Sequence, residues 1–150
     1  MRHLDIIDME ELTTKQKGAI AEVAIARDLL QRGYTVATPF GDYGDWDLLV
    51  ERKIDSQKEV FQRVQVKYAT MKNGCIPVRN RCHSVNAGRV RRSHLYNDRV
   101  EWVAVYEPSN CQCYYIPSEE LRGEAMSLRV DQPKIQKLET IRWAKDYQSI

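Results

Sequence analysis

Asp47, Gln65 and Lys67 are the residues whose types and spacing suggest chemistry. Asp47 opens the apolar run Leu48-Leu49-Val50. Further along, Gln65-Val66-Lys67 places an amide oxygen and an amine two positions apart in an alternating stretch over residues 60–69. Two residues is the side-chain repeat of a strand, so both groups point the same way. If the two runs pair, the three side chains meet. A carboxylate from Asp47, an amide oxygen from Gln65 and a main-chain oxygen such as that of Val66 make a hard-oxygen set suited to Mg²⁺. Such an ion polarises a phosphoryl oxygen and acidifies a bound water. An ammonium beside it orients that water and offsets transition-state charge. Hydrolysis of a phosphodiester needs little more than such a set. Glu22 is the fourth candidate catalytic residue, on a helical stretch upstream. The structural alternative for the set is an ion pair between Glu22 and Lys67.

The elements that must position these groups are legible in outline. Thr13 or Thr14 caps a helix running to about Arg32, and Gly33 stops it. Ala19, Val23, Ala26, Leu29 and Leu30 form its apolar stripe. Gly18 and Glu22 lie one turn apart on the edge of that stripe, where a small residue lets the helix approach a sheet closely. Strands are expected over residues 34–38, 47–50, 60–69, 100–106 and 111–116. A short helix is expected from Pro117, and a final helix from about Pro133 on the spacing of Ile135, Leu138, Ile141 and Tyr147. The order α-β-β-β-(basic region)-β-β-α predicts an α/β fold with the first helix packed on a sheet. At 150 residues the chain is sized for one domain.

Charge points to the partner. Residues 72–94 carry six basic side chains and no Asp or Glu. The rest of the chain holds 17 Lys+Arg against 21 Asp+Glu, so a net charge of +2 hides a +6 window in a −4 background. Lys72, Asn73, Arg79, Asn80, Arg81, His83, Asn86, Arg89, Arg91 and Arg92 are donors suited to phosphates and base edges, and Arg63 shares the strand face of Gln65 and Lys67. Arg79, Asn80 and Arg81 are the expected groove contacts. The plain alternative is a solvated basic loop.

The motifs Gly18…Glu22, Gly44-Asp45-Trp46-Asp47-Leu48-Leu49-Val50 and Val64-Gln65-Val66-Lys67 together resemble the PD-(D/E)XK nuclease core. With residues 100–106 and Tyr114-Tyr115-Ile116-Pro117, the chain looks like the branch of this superfamily formed by homing endonucleases encoded in cyanobacterial group I introns. Trp46 stands in place of the family's Pro, and Gln65 in place of its second acid. The resemblance implies a restriction-endonuclease-like α/β core, a mixed central sheet flanked by helices. It implies a Mg²⁺-dependent cut in both strands of a long duplex DNA site by a homo-oligomer, a tetramer favoured over a dimer. Mn²⁺ is expected to substitute for Mg²⁺, and Ca²⁺ to support binding without cleavage. A Holliday-junction resolvase or other structure-specific nuclease, and a non-catalytic DNA-binding module, are the alternatives.

Several classes are set aside. With 43% hydrophobic residues the chain is not disordered. No apolar run approaches the roughly 20 residues that span a bilayer. The start Met1-Arg2-His3-Leu4-Asp5 lacks the apolar region of a signal peptide, which predicts a cytoplasmic protein. Cys75, Cys82, Cys111 and Cys113 read as reduced thiols, since their spacing matches no CxxC zinc pair.

Overall fold

A computed structural model of the chain describes residues 11–41, 44–86, 89–132 and 141–150, and the backbone alone over 82–93. The described elements are α1 (Thr14–Gln31), β1 (Thr35–Ala37), β2 (Leu48–Asp55), β3 (Lys58–Tyr68), β4 (Cys75–Arg79), β5 (Arg81–Asn86), β6 (Arg89–Leu95), β7 (Trp102–Glu107), β8 (Gln112–Pro117) and β9 (Ala125–Arg129).

A capping box starts α1. The Thr13 hydroxyl accepts from the Gln16 amide, and the Gln16 side chain accepts from the Thr13 amide at 2.9 Å. Gly33 follows the helix at φ 86°, the left-handed turn that glycine adopts without strain. The buried row is Ala21, Ile25 and Leu29, each 0% exposed. That corrects the expected stripe: Val23 is 69% exposed and Leu30 57%. Apolar residues occupy most faces of this helix, so periodicity alone cannot choose between rows.

The sheet has the order β1-β2-β3-β7-β8. β1, β2 and β3 are antiparallel neighbours, β3 pairs parallel with β7, and β7 pairs antiparallel with β8. The mixed central sheet matches the expectation. One face of it packs Leu48, Val50, Val64, Val66, Ala104 and Tyr115 under α1. Full burial of each aliphatic side chain contributes about 1.5–3 kcal/mol. The other face differs from a flanking helix. Val103, Val105, Tyr114 and Ile116 are covered there by Ile76, Val78, Met126 and Leu128 of a two-stranded β4–β9 sheet. β7 is therefore buried on both sides, which explains its unbroken Val103-Ala104-Val105 run.

The parallel β3–β7 link needs a long crossover, ordinarily helical. Here residues 69–101 supply it as strands: β4 turns into the β5–β6 hairpin, and the chain returns to β7. The basic window is thus largely strand. Its register sets Asn86 opposite Arg89 and Ser84 opposite Arg92, with a bulge between Ser84 and Val85.

The C-terminal expectation is also revised. Pro117 ends β8, and the turn after it is a 3₁₀ turn over Ser118–Glu120. Among residues 141–150 the helical part is one 3₁₀ turn, Ala144–Tyr147; residues 133–140 lie outside the described residues. Tyr147 and Ile150 pack on the domain's own two cores, and the Tyr147 hydroxyl donates to Glu120 at 2.8 Å.

Candidate active site

The hairpin of β2 and β3 brings Asp47 and Gln65 together. Asp47 sits just ahead of β2 with its amide donating to the Val64 carbonyl at 2.9 Å. Asp47 Oδ2 accepts from the Val66 amide at 2.7 Å and from Gln65 Nε2. Gln65 Nε2 also donates to the Val66 carbonyl at 3.3 Å. One NH₂ group thus bridges a carboxylate oxygen and a main-chain carbonyl oxygen. Two converging oxygens around a positively polarised group form a place that a hard cation fits. Turning the Gln65 amide over would add its own oxygen as a third donor. Among the described residues no three His, Cys, Asp or Glu side chains cluster. A divalent ion here would be held by one carboxylate and neutral oxygens, those of Asp47, Gln65 and the Val66 carbonyl.

Lys67 lies on the same strand face, as the two-residue repeat requires. Its ammonium donates to the Tyr96 hydroxyl at 2.7 Å and stands 4.6 Å from the centroid of the Tyr96 ring. Tyr96 is 2% exposed. Sequence reading missed it, because nothing in His94-Leu95-Tyr96 marks an aromatic as a lysine's partner. Glu22 is placed one turn beyond Gly18 on α1, with its side chain exposed.

Tyr96 is itself anchored. Its amide donates to Asn80 Oδ1 at 3.2 Å and to the Asn80 carbonyl at 3.0 Å. Asn80 is fully buried, and its Nδ2 donates to Asn97 Oδ1 at 2.6 Å and to the Gly123 carbonyl at 2.8 Å. This corrects the expectation that Asn80 contacts a DNA groove: its amide is consumed inside the fold. Beside this network, His94 Nε2 and the Arg99 guanidinium lie 3.1 and 3.3 Å from the two carboxylate oxygens of Asp45. They tie the loop ahead of Asp47 to the base of the basic hairpin.

The other candidate DNA contacts separate. Lys72, Asn73 and Arg79 are exposed. Asn73 takes φ 50° in the turn before β4, and Gly74 follows it at φ 71°. A Cβ on Gly74 would stand 2.8 Å from the Asp131 carboxylate, so a side chain there would be strained twice over. Arg81 pairs with Glu124 at 2.7 Å. Arg63 is held by Glu101 through a fork of 2.6 and 3.2 Å, and that carboxylate also accepts the Arg63 amide. Burial works to raise the Glu101 pKa, but these hydrogen bonds outweigh it and hold the carboxyl below its ordinary value. The side chains of His83, Asn86, Arg89, Arg91 and Arg92 lie outside the described residues. Among the thiols, Cys113 lies under α1, where burial first and the Asp28 charge second push its pKa up to about 12. It is a poor nucleophile.

A family model described as PD-(D/E)XK endonuclease matches residues 12–150. The chain belongs to this family. It is a DNA endonuclease, and the family's divalent-metal chemistry agrees with the donors that converge around Gln65. The solved structure of a bacterial homing endonuclease, I-Ssp6803I, is similar to this nuclease at 25% identity and a TM-score of 0.69, over 91% of this chain and 89% of that one. A comparison with curated protein sequences finds no match. No helix among the described residues is long and apolar enough to cross a membrane.

Proposed function

We propose that this nuclease is a site-specific homing endonuclease that hydrolyses both strands of a long duplex DNA target with Mg²⁺. The observation that carries the reading is the convergence of Asp47, Gln65 and the Val66 carbonyl beside a lysine held in place by a buried tyrosine. The likeness to a homing endonuclease over nine-tenths of both chains supports the target class.

A bound Mg²⁺ supplies charge neutralisation at the phosphoryl oxygen and an acidified water. The protein's own residues do the rest. Asp47 is oriented by the Val66 amide, so its carboxylate does not have to be ordered when DNA arrives. Lys67 places an ammonium near the attacked phosphate, orients the nucleophilic water and offsets charge that develops in line. Glu22, on the helix packed against β3, is proposed to act through water rather than as a direct ligand. Mn²⁺ should substitute, and Ca²⁺ should hold DNA without turnover, because its longer and looser coordination places the water poorly.

Residues 1–150 are proposed to form one nuclease domain, with the exposed Lys72, Asn73 and Arg79 and the β5–β6 hairpin on the DNA. One site cuts one strand, so two-strand cleavage calls for an even-numbered symmetric assembly, a tetramer ahead of a dimer. The exposed Val23 and Leu30 on α1, with the half-buried Ala26 between them, offer a self-complementary face for it. Light scattering should report an oligomer for wild type and a smaller species for a Val23→Glu, Leu30→Glu variant. A library of plasmids carrying random inserts, incubated with Mg²⁺, tests the reading itself. Linearisation of a sparse subset of plasmids is the expected result. Cleavage of four-way junctions but of no duplex would make the chain a resolvase instead.

A further inference from the structure

Gly18 sits in the interior of α1, where glycine costs helix stability relative to alanine. Its sequence position suggested that it lets the helix approach the sheet. The structure removes that reason: a Cβ built on Gly18 meets nothing within 4 Å. The space beside it is a groove of about 520 Å³ between the first turns of α1, the end of β3 and the outer face of β4. Lys17 and Gly18 line it from the helix, Lys67 from β3, and Lys72, Pro77 and Arg79 from the far side. Among the described residues the lining holds four cations and no carboxylate. None of the salt bridges among the described residues uses Lys17, Lys72 or Arg79. Lys17, Lys72 and Arg79 thus turn positive charge into a concave surface suited to a polyanion, and phosphate contacts are what position a duplex.

We infer that this groove is the track of the cleaved strand's sugar-phosphate backbone, with Gly18 as the clearance residue and Lys17 as a phosphate contact that sequence reading did not single out. The inference deepens the nuclease reading and rests on it. Lys17 and the Lys72/Arg79 pair grip the strand from opposite walls, and the strand leads to Lys67. A side chain at position 18 would narrow the track from the helix side, which is why the helix carries glycine where alanine would serve its stability better.

The test uses the full chain and a random-sequence duplex of three helical turns, about 30 base pairs. Binding is measured in Ca²⁺ and cutting of a cleavable plasmid in Mg²⁺. Gly18→Ala and Gly18→Leu should unfold at the same temperature as wild type or higher. Duplex affinity should fall by about 3-fold for Ala and by 10-fold or more for Leu, in step with side-chain volume. Lys17→Gln should shallow the slope of log affinity against log salt by about one unit, equally on every sequence. Gly18→Leu that binds and cuts like wild type would overturn the inference while the nuclease reading stands. A wild-type protein that cuts no DNA in any divalent metal would instead remove the reading on which the inference rests.

Discussion

The hydroxyl of Tyr96 accepts a 2.7 Å hydrogen bond from the ammonium of Lys67, across 29 residues of chain. Lys67 belongs to the central sheet, and Tyr96 to the crossover that carries the basic hairpin. The group proposed to orient the water is therefore held by the element proposed to hold the DNA. Tyr96→Phe keeps the ring face and removes the acceptor. The single-turnover rate should fall by about 10- to 100-fold, at about 1.4 kcal/mol per tenfold, while duplex affinity in Ca²⁺ stays as in wild type. Equal rates for the two proteins would leave Tyr96 with a packing role only.

Asp47→Asn should abolish cleavage and spare binding. The amide retains an oxygen but loses the charge that holds a divalent ion. Gln65→Glu should retain more activity than Gln65→Ala, because it keeps an oxygen donor next to the Val66 carbonyl. Single-turnover cutting by the three variants at rising Mg²⁺ checks the order. An Ala variant as active as wild type would make Gln65 a bystander.

Asn80→Ala should behave as a core defect. It leaves Asn97 Oδ1 and the Gly123 carbonyl without their donor, at a cost of about 2–4 kcal/mol. Chemical denaturation should show the loss. Sequence preference on the plasmid library should not change. A variant of normal stability with relaxed preference would restore the groove-contact role that the buried amide argues against.

Acid should destabilise this protein through Glu107. The side chain is fully buried at the end of β7, where burial raises its pKa. Hydrogen bonds from the Ser109 hydroxyl and the Met71, Asn110 and Ser109 amides outweigh that effect and lower it. A carboxyl lowered in the folded state stabilises above its ordinary value of 4.5, and that stability is lost as pH falls through the folded value. Unfolding free energy should hold between about pH 7 and 5 and then drop. Glu107→Gln should be less stable at pH 7 and show a shallower drop. Matching pH profiles for the two proteins would count against the assignment.

How much was legible divides along the range of the forces involved. The cap at Thr13, the stop at Gly33 and the face shared by Gln65 and Lys67 follow from local backbone geometry, and each is found where the sequence put it. Asp47 meeting Gln65 required one further step, that consecutive strands pair, which is the commonest outcome for neighbours in sequence. The family motifs rest on the same local signals. What lay beyond reading was every choice made by distant residues. Which apolar row of α1 faces the sheet depends on what the sheet offers beneath it, and a helix apolar on most sides does not declare it. Asn80 looked like a reader of DNA until Tyr96 and Asn97 from one segment and Gly123 from another consumed its amide. Pairing of β4 with β9 joins segments about 50 residues apart, and nothing in either names the other. Tyr96 over Lys67 and the open groove beside Gly18 exist only because the crossover folds back across β3. Local propensity is written in neighbouring residues, whereas burial and partnership are properties of the packed whole.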